Sequence, residues 1–292
     1  MDLIKKLFGI NPKLNIQYIG YDDFKNNSKN IFKQLVSSKI DVFIIKNVFT
    51  KEEIKTVIKG VCLLKENDFD TPHVGAKTFP KSCSSGQEDE NVLSDFFEKT
   101  KENNFRIDEI SGINISQKFE KLMNLLNGNK RVILAQNRND FYLKGTYRLI
   151  SSEEQTVGLT QVHTGYDYAK RNNKFSYTAI KNKIDTLKQL SIYTLLRKPD
   201  SGGEFTVFNF DRQEYNSLID NKIIINKKTK KEHKLYSKNN YETIKLEVGD
   251  VLTFTDFKLW HRVEKVLGET ERMSYGCWGA FDFEKENFYY WS

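Results

Sequence analysis

Two short stretches hold the residues best suited to chemistry. One is Gln161-Val162-His163-Thr164-Gly165-Tyr166-Asp167-Tyr168; the other is Leu259-Trp260-His261-Arg262-Val263. The chain has four histidines, and two of them stand in these mutually supporting contexts. Neutral imidazoles on two different strands can hold a first-row metal ion. The common mononuclear iron arrangement adds one carboxylate and leaves positions for a cosubstrate and oxygen. That carboxylate lies two residues after the first histidine, because positions i and i+2 of a strand face the same way. Here the position is Gly165, which has no side chain, so a metal would keep an extra open place. If the segment stays extended, Asp167 lies about 13 Å further along and cannot share the ion. Only a helical turn would bring it back.

Arg272 follows His261 by eleven residues, and Ser274 stands two beyond it. On one strand these two face alike. A guanidinium with a neighbouring hydroxyl can clamp a dicarboxylate through a bidentate pair and one further hydrogen bond. His73 stands alone beside Pro72 and reads as a surface or hydrogen-bonding residue.

The elements that must position these groups are short strands. Arg131-Val132-Ile133-Leu134, Tyr147-Arg148-Leu149-Ile150, Thr160-Gln161-Val162-His163, Leu190 to Leu196, Phe205 to Phe208, Val251 to Thr255 and Arg272 to Phe281 are β-branched or aromatic runs bounded by turns. Such spacing indicates a sandwich or barrel. The first part of the chain has a different character. Residues 22–38 and 91–127 have apolar residues at helical spacing, Asp41 to Ile45 reads as a buried strand, and Thr50-Lys51-Glu52-Glu53 is a capping-box pattern. Residues 66–95 read as loops, 181–190 as a helical patch and 221–245 as a Lys-rich hairpin. No linker or repeat divides the chain. The expectation is one domain over 1–292, with a mostly helical flanking region (1–130) and a β-core with the metal site (131–292). Its class is α+β and β-rich.

With these residues in place, the chain resembles the iron(II)/2-oxoglutarate-dependent oxygenases of the double-stranded β-helix (jelly-roll, cupin-like) fold. More narrowly, it resembles the standalone aliphatic halogenases of the hapalindole and welwitindolinone alkaloid pathways. The matching stretches are Thr146-Tyr147-Arg148-Leu149, His163 to Tyr168, Gln189-Leu190-Ser191, Gly202-Gly203-Glu204, Gly249-Asp250, His261-Arg262-Val263, Arg272 and Tyr289-Tyr290-Trp291-Ser292. The resemblance implies that His163 and His261 bind Fe(II) and that a halide sits at Gly165 in place of the carboxylate. It implies that Arg272 anchors 2-oxoglutarate with Ser274 as helper, and that Arg148 lies beside the halide. Ser191 resembles a serine that orients the reactive group at the metal. The implied cosubstrates are 2-oxoglutarate, O2 and chloride. The implied reaction is chlorination of an unactivated aliphatic C–H bond of a freestanding small molecule. The same fold also supports hydroxylation, with Asp167 or water completing the metal shell. A non-catalytic β-barrel binding protein is the reading from another class.

Bulk composition sets the surroundings. The net charge is +7, with the excess concentrated in residues 170–188 and 222–234. These runs read first as a solvated loop and helix face; as a basic rim they would suit an anionic small molecule such as a nucleotide, and an amino acid or alkaloid is also compatible. No aromatic-basic pattern marks specific nucleic-acid binding. Cys62, Cys83 and Cys277 are too widely spaced for a disulfide framework or zinc ribbon, and no apolar run reaches membrane-spanning length. The expectation is a cytoplasmic enzyme, a monomer or weak homodimer, acting without a membrane.

Overall fold

A computed structural model describes residues 13–27, 29–73, 75–80, 90–152, 162–165, 180, 182–209 and 241–292. In chain order the first elements are β1 (Ile16–Gly20), α1 (Tyr21–Asn26), α2 (Ile31–Val36), β2 (Val42–Lys46) and α3 (Lys51–Val61). Then come β3 (Asp70–His73), β4 (Ala76–Phe79), α4 (Glu90–Ser111) and α5 (Ile115–Leu126). The strands that follow are β5 (Val132–Leu134), β6 (Gln136–Asn137), β7 (Asp140–Phe141), β8 (Thr146–Ile150), β9 (Leu190–Arg197), β10 (Ser201–Gly202) and β11 (Phe205–Phe208). The last are β12 (Tyr241–Ile244), β13 (Val251–Phe254), β14 (Trp260–Val263), β15 (Val266–Leu267), β16 (Arg272–Phe281) and β17 (Phe288–Trp291).

The fold is the expected double-stranded β-helix with flanking helices. Its large sheet runs β1-β2-β13-β9-β16-β8-β4-β3, with β17 and β5 extending it beside β16. A smaller sheet, β12-β11-β14, lies against it. Between the sheets sits one apolar layer containing Val42, Ile44, Leu195, Phe205, Val207, Ile244, Leu252 and Phe254. The outer face of the large sheet is covered by the helices, through Phe43, Ile45, Ile192, Tyr147, Met273 and Tyr275 against Phe32, Phe119 and Leu122. Strand β2 shows why its sequence is continuously apolar. Val42 and Ile44 face one layer and Phe43 and Ile45 the other, because successive side chains alternate.

This alternation fixes which side chains look into the barrel. On β16 the odd-numbered Met273, Tyr275 and Cys277 pack on the helices, so Arg272, Ser274, Gly276 and Trp278 face inward. The same reasoning turns Ser191, Tyr193 and Leu195 of β9 inward, and Arg148 of β8 with them. Register aligns them: Ser274 pairs with Arg148 on one side and Leu195 on the other. Gly276 pairs with Tyr193, and Trp278 with Ser191. The β9–β16 register shifts between Met273 and Ser274, an irregularity of the kind that re-aims side chains beside functional sites.

Several sequence expectations change in detail. The helical run 22–38 is two helices, since Asn30 caps a new one by accepting the Lys33 N–H. The run 91–127 breaks at Gly112, which adopts a left-handed φ of +62°, and Asn114 caps the second helix. Residues 66–95 are not only loop: β3 and β4 form an edge hairpin on the large sheet. Four-residue edge strands, one with an internal Pro72, give little alternation to read. The 1–130 region therefore contributes four strands as well as its helices. The patch at 181–190 contains only one turn of 3-10 helix, Thr186–Lys188. The C-terminal Phe288–Trp291, quoted only as a motif, is a buried strand pairing β16 and running parallel to β5. The capping box at Thr50 and Glu53 is present as expected. Most of the Lys-rich hairpin and of residues 170–188 lies outside the described residues. Among the described residues, no helix is long and apolar enough to cross a membrane.

Candidate active site

His163 and His261 lie directly opposite one another. Each donates its backbone N–H to the other's carbonyl, at 3.1 and 3.0 Å, and their ring centroids are 4.4 Å apart. His163 thus extends the small sheet beyond β14. His261 is held on β14, whose other edge pairs β11 through Val207. Phe205 and Phe254 wall its ring, with centroids 5.5 and 4.6 Å away, Phe254 edge-on.

The tautomer of His261 follows from its neighbours. Nδ1 lies 2.8 Å from the Leu259 carbonyl; a carbonyl only accepts, so Nδ1 carries the proton and Nε2 presents a lone pair. Burial pushes the imidazole down to about 4, so it is neutral at physiological pH. A neutral ring with a directed lone pair is what a metal ligand requires.

Backbone at Gly165 is helical, so the extended path ends at Thr164. Asp167 lies outside the described residues. The carboxylate found beside the histidines is a different one, Asp256, in the turn between β13 and β14. Its Oδ1 is 3.4 Å from His261 Nε2. Gln189 Nε2 donates to its Oδ2, and its carbonyl accepts the Gly165 N–H at 2.7 Å. Burial raises the Asp256 carboxyl above its ordinary range, opposed by His163, Gln189, Gly165 and the charge of Arg148. Among the described residues, no three His, Cys, Asp or Glu side chains form a metal-holding cluster. Asp256 therefore does not complete one with the two histidines in this arrangement.

Arg272 and Ser274 come together as the sequence suggested. Arg272 Nη1 donates to Ser274 Oγ at 3.3 Å, and Nε donates to the Gly203 carbonyl at 2.9 Å. Gly203, at φ +71°, leaves little room for a side chain, since a Cβ would lie 2.9 Å from Pro199 Cγ and 3.1 Å from Arg272 Cδ. Arg272 is 3% exposed and has no acidic partner among the described residues. A buried cation without a counter-charge is costly, which fits an anionic ligand. A cavity of about 310 Å³ reaches it between Leu195, Phe205 and Ile244. Tyr193, missed in the sequence, adds a buried hydroxyl that makes no hydrogen bond of normal geometry. Burial pushes that phenol up to about 12, so it stays a donor. The signal that could have found it was its place two residues after Ser191, on the same face of one strand.

Arg148 stands across from Ser274, and its charge acts on both Asp256 and Tyr193. Ser191 lies in the row between Phe254 and Trp278. The two histidines, the Arg272–Ser274 pair and Arg148 are therefore gathered in one interior.

A family model for the carrier-protein-independent halogenase WelO5 matches residues 19–292. The chain belongs to that family. No curated protein matches it in sequence. Among solved structures it is similar to an N-substituted L-amino acid dioxygenase from Burkholderia ambifaria AMMD, at 10% identity and TM-score 0.53, covering 90% of each chain. The complex of that dioxygenase with alpha-KG gives the same identity and TM-score over 89% of each. A prolyl hydroxylase from Trichoplax adhaerens, solved with a hypoxia inducible factor peptide fragment, has 12% identity and TM-score 0.47 over 90% and 93% of the chains. The dioxygenase likeness shows the shared fold, and family membership shows an enzyme of the halogenase type.

Proposed function

We propose that this member of the family chlorinates an unactivated aliphatic C–H bond of a freestanding small molecule. The observation that carries the reading is the cross-strand His163–His261 pair beside Gly165, a residue that offers no ligand. In this reading His163 and His261 hold Fe(II). Arg272, Ser274 and Tyr193 bind the far carboxylate of 2-oxoglutarate. Chloride lies by Gly165 within the field of Arg148. When bound, iron with 2-oxoglutarate and O2 supplies the oxidising power to remove a hydrogen atom from carbon, and chloride supplies the halogen.

The protein's own part is positioning. Leu259 fixes the His261 ring through Nδ1. Phe205 and Phe254 exclude water from one side of it. The guanidinium of Arg272, without an acidic partner among the described residues, selects an anion. Ser191, between Phe254 and Trp278, places a hydroxyl on the inner face, where it can orient a polar group of the reactants. Holding the target carbon nearer the halide than competing oxygen is then a matter of orientation. The substrate classes that suit the basic segments are anionic small molecules such as nucleotides, with amino acids and alkaloids alongside.

The test is a mass-spectrometric screen of metabolites with Fe(II), 2-oxoglutarate and O2, with and without chloride. A chlorinated product that requires chloride is expected; an unchanged product ratio would sink the reading. Hydroxylation by the same fold, with Asp167 or water completing the metal shell, is the second reading. A chloride-independent hydroxylated product would establish it.

A further inference from the structure

The surroundings of Gly165 carry one inference, which rests on the metal reading above and deepens it. A Cβ placed on Gly165 would lie 2.5 Å from Asp256 Oδ2, 2.7 Å from Asp256 Cγ and 2.7 Å from Gln189 Nε2. Real Cβ contacts essentially never fall below 3.0 Å. The obstructing atoms are not loose ends. Asp256 is 4% and Gln189 8% exposed, and the two side chains are bonded to each other. The Gln189 carbonyl also accepts the Phe257 N–H at 3.3 Å, and the Asp256 carbonyl accepts the Gly165 N–H. Any side chain at 165 must therefore push on the β13–β14 turn, five residues before His261.

We infer that Asp256, braced by Gln189, is a positioning residue that keeps the place beside Gly165 closed to every side chain. The open place at the metal is then maintained from the β13–β14 turn as well as by glycine. A side chain grafted onto position 165 meets Asp256 and Gln189 in that volume.

The experiment is a double-mutant cycle on the full chain. The variants are G165A, D256A, G165A/D256A and the volume-preserving G165A/D256N. Two readouts are taken: the thermal midpoint of the metal-free protein, and anaerobic Fe(II) calorimetry with 2-oxoglutarate present. G165A is expected to lower the midpoint and weaken Fe(II) binding about tenfold or more, as loss of a ligand-orienting contact does. G165A/D256A is expected to return both values to those of D256A alone, and G165A/D256N to remain as poor as G165A. If G165A does not fold, recovery of folding in G165A/D256A is the same result. The inference is overturned by wild-type behaviour of G165A, by additive losses in G165A/D256A, or by recovery in G165A/D256N. Absence of Fe(II) binding by the wild-type chain would overturn the metal reading instead, and the midpoint cycle still decides the steric inference.

Discussion

The guanidinium of Arg272 lies over the ring of Tyr193, 5.6 Å from its centroid. Arg272 is buried and Tyr193 half-buried with its hydroxyl covered, on neighbouring strands β16 and β9. One brings a positive charge without an acidic partner among the described residues, the other a hydroxyl without a hydrogen bond of normal geometry. Two such deficits side by side are resolved together by one carboxylate, which can accept from both.

Replacing Arg272 by methionine separates structure from binding. The buried charge costs desolvation free energy that no partner repays, so R272M is expected to keep or raise the thermal midpoint of the free protein. The same change removes the anion's main contact. Loss of about 3–5 kcal/mol of 2-oxoglutarate binding is expected, beyond a hundredfold in Kd. Calorimetry checks the second point and a thermal melt the first. A destabilised R272M that still binds 2-oxoglutarate would contradict the clamp.

Y193F tests the smaller contribution. Removing a hydroxyl that makes no hydrogen bond of normal geometry in the free protein leaves its stability nearly unchanged. In the complex the lost hydrogen bond to a charged acceptor weakens 2-oxoglutarate by about 1.5–3 kcal/mol, roughly ten- to a hundredfold. Equal affinities for wild type and Y193F would place the carboxylate elsewhere.

These groups differ in how readable they were. His163, His261, Arg272 and Ser274 stand at spacings that geometry can interpret, since i and i+2 on a strand share a face. Their neighbours in space do not. Gln189 and Asp256 are 67 residues apart in sequence and meet only because Asp256 sits in a turn whose path depends on the β9–β13 pairing. Tyr193 looked like one more apolar strand residue. The fold shows the same division. The two-sided core strand at 42–46 and the cap at Thr50 declare themselves locally. The β3–β4 hairpin and strand β17 are edge or terminal additions, defined by what they pair with. Gly60 is similar: helix α3 crosses α4 so closely that a Cβ there would lie 1.6 Å from the Ile110 carbonyl oxygen, a constraint invisible along the chain.

The capping box of α3 makes a pH prediction independent of the metal site. Burial acts to raise the Glu53 carboxyl, but the Lys118 ion pair and the Thr50 backbone N–H outweigh it and hold it below its ordinary value. Lys118 Nζ lies 2.7 and 2.6 Å from its two oxygens. A carboxyl with a lowered folded pKa contributes stability above its unfolded pKa and loses it as pH falls through the folded pKa. The thermal midpoint is therefore expected to decline below pH ~4.3. In E53Q that part of the slope should vanish, with a lower midpoint at neutral pH. An unchanged slope in E53Q would show that other carboxyls account for acid sensitivity.

Arg148 offers a test of where the halide goes. It lies across from Ser274 on β8, and its charge acts on Asp256 and Tyr193, at the two ends of the proposed chemistry. A cation so placed stabilises an anion near Gly165 and offsets the repulsion from any ionised fraction of Asp256. R148M removes this attraction while keeping a long apolar stem in the row. If the lost interaction is about 1.4 kcal/mol, half-maximal chloride rises about tenfold. Iron affinity should change little, because neither histidine is bonded to β8 in the backbone. The measurement is a chloride titration of chlorinated against hydroxylated product at saturating 2-oxoglutarate. A shift toward hydroxylation that high chloride reverses is the expected outcome. A uniform loss of both products, insensitive to chloride, would assign Arg148 to the cosubstrate or to the barrel wall and leave the halide without its cation.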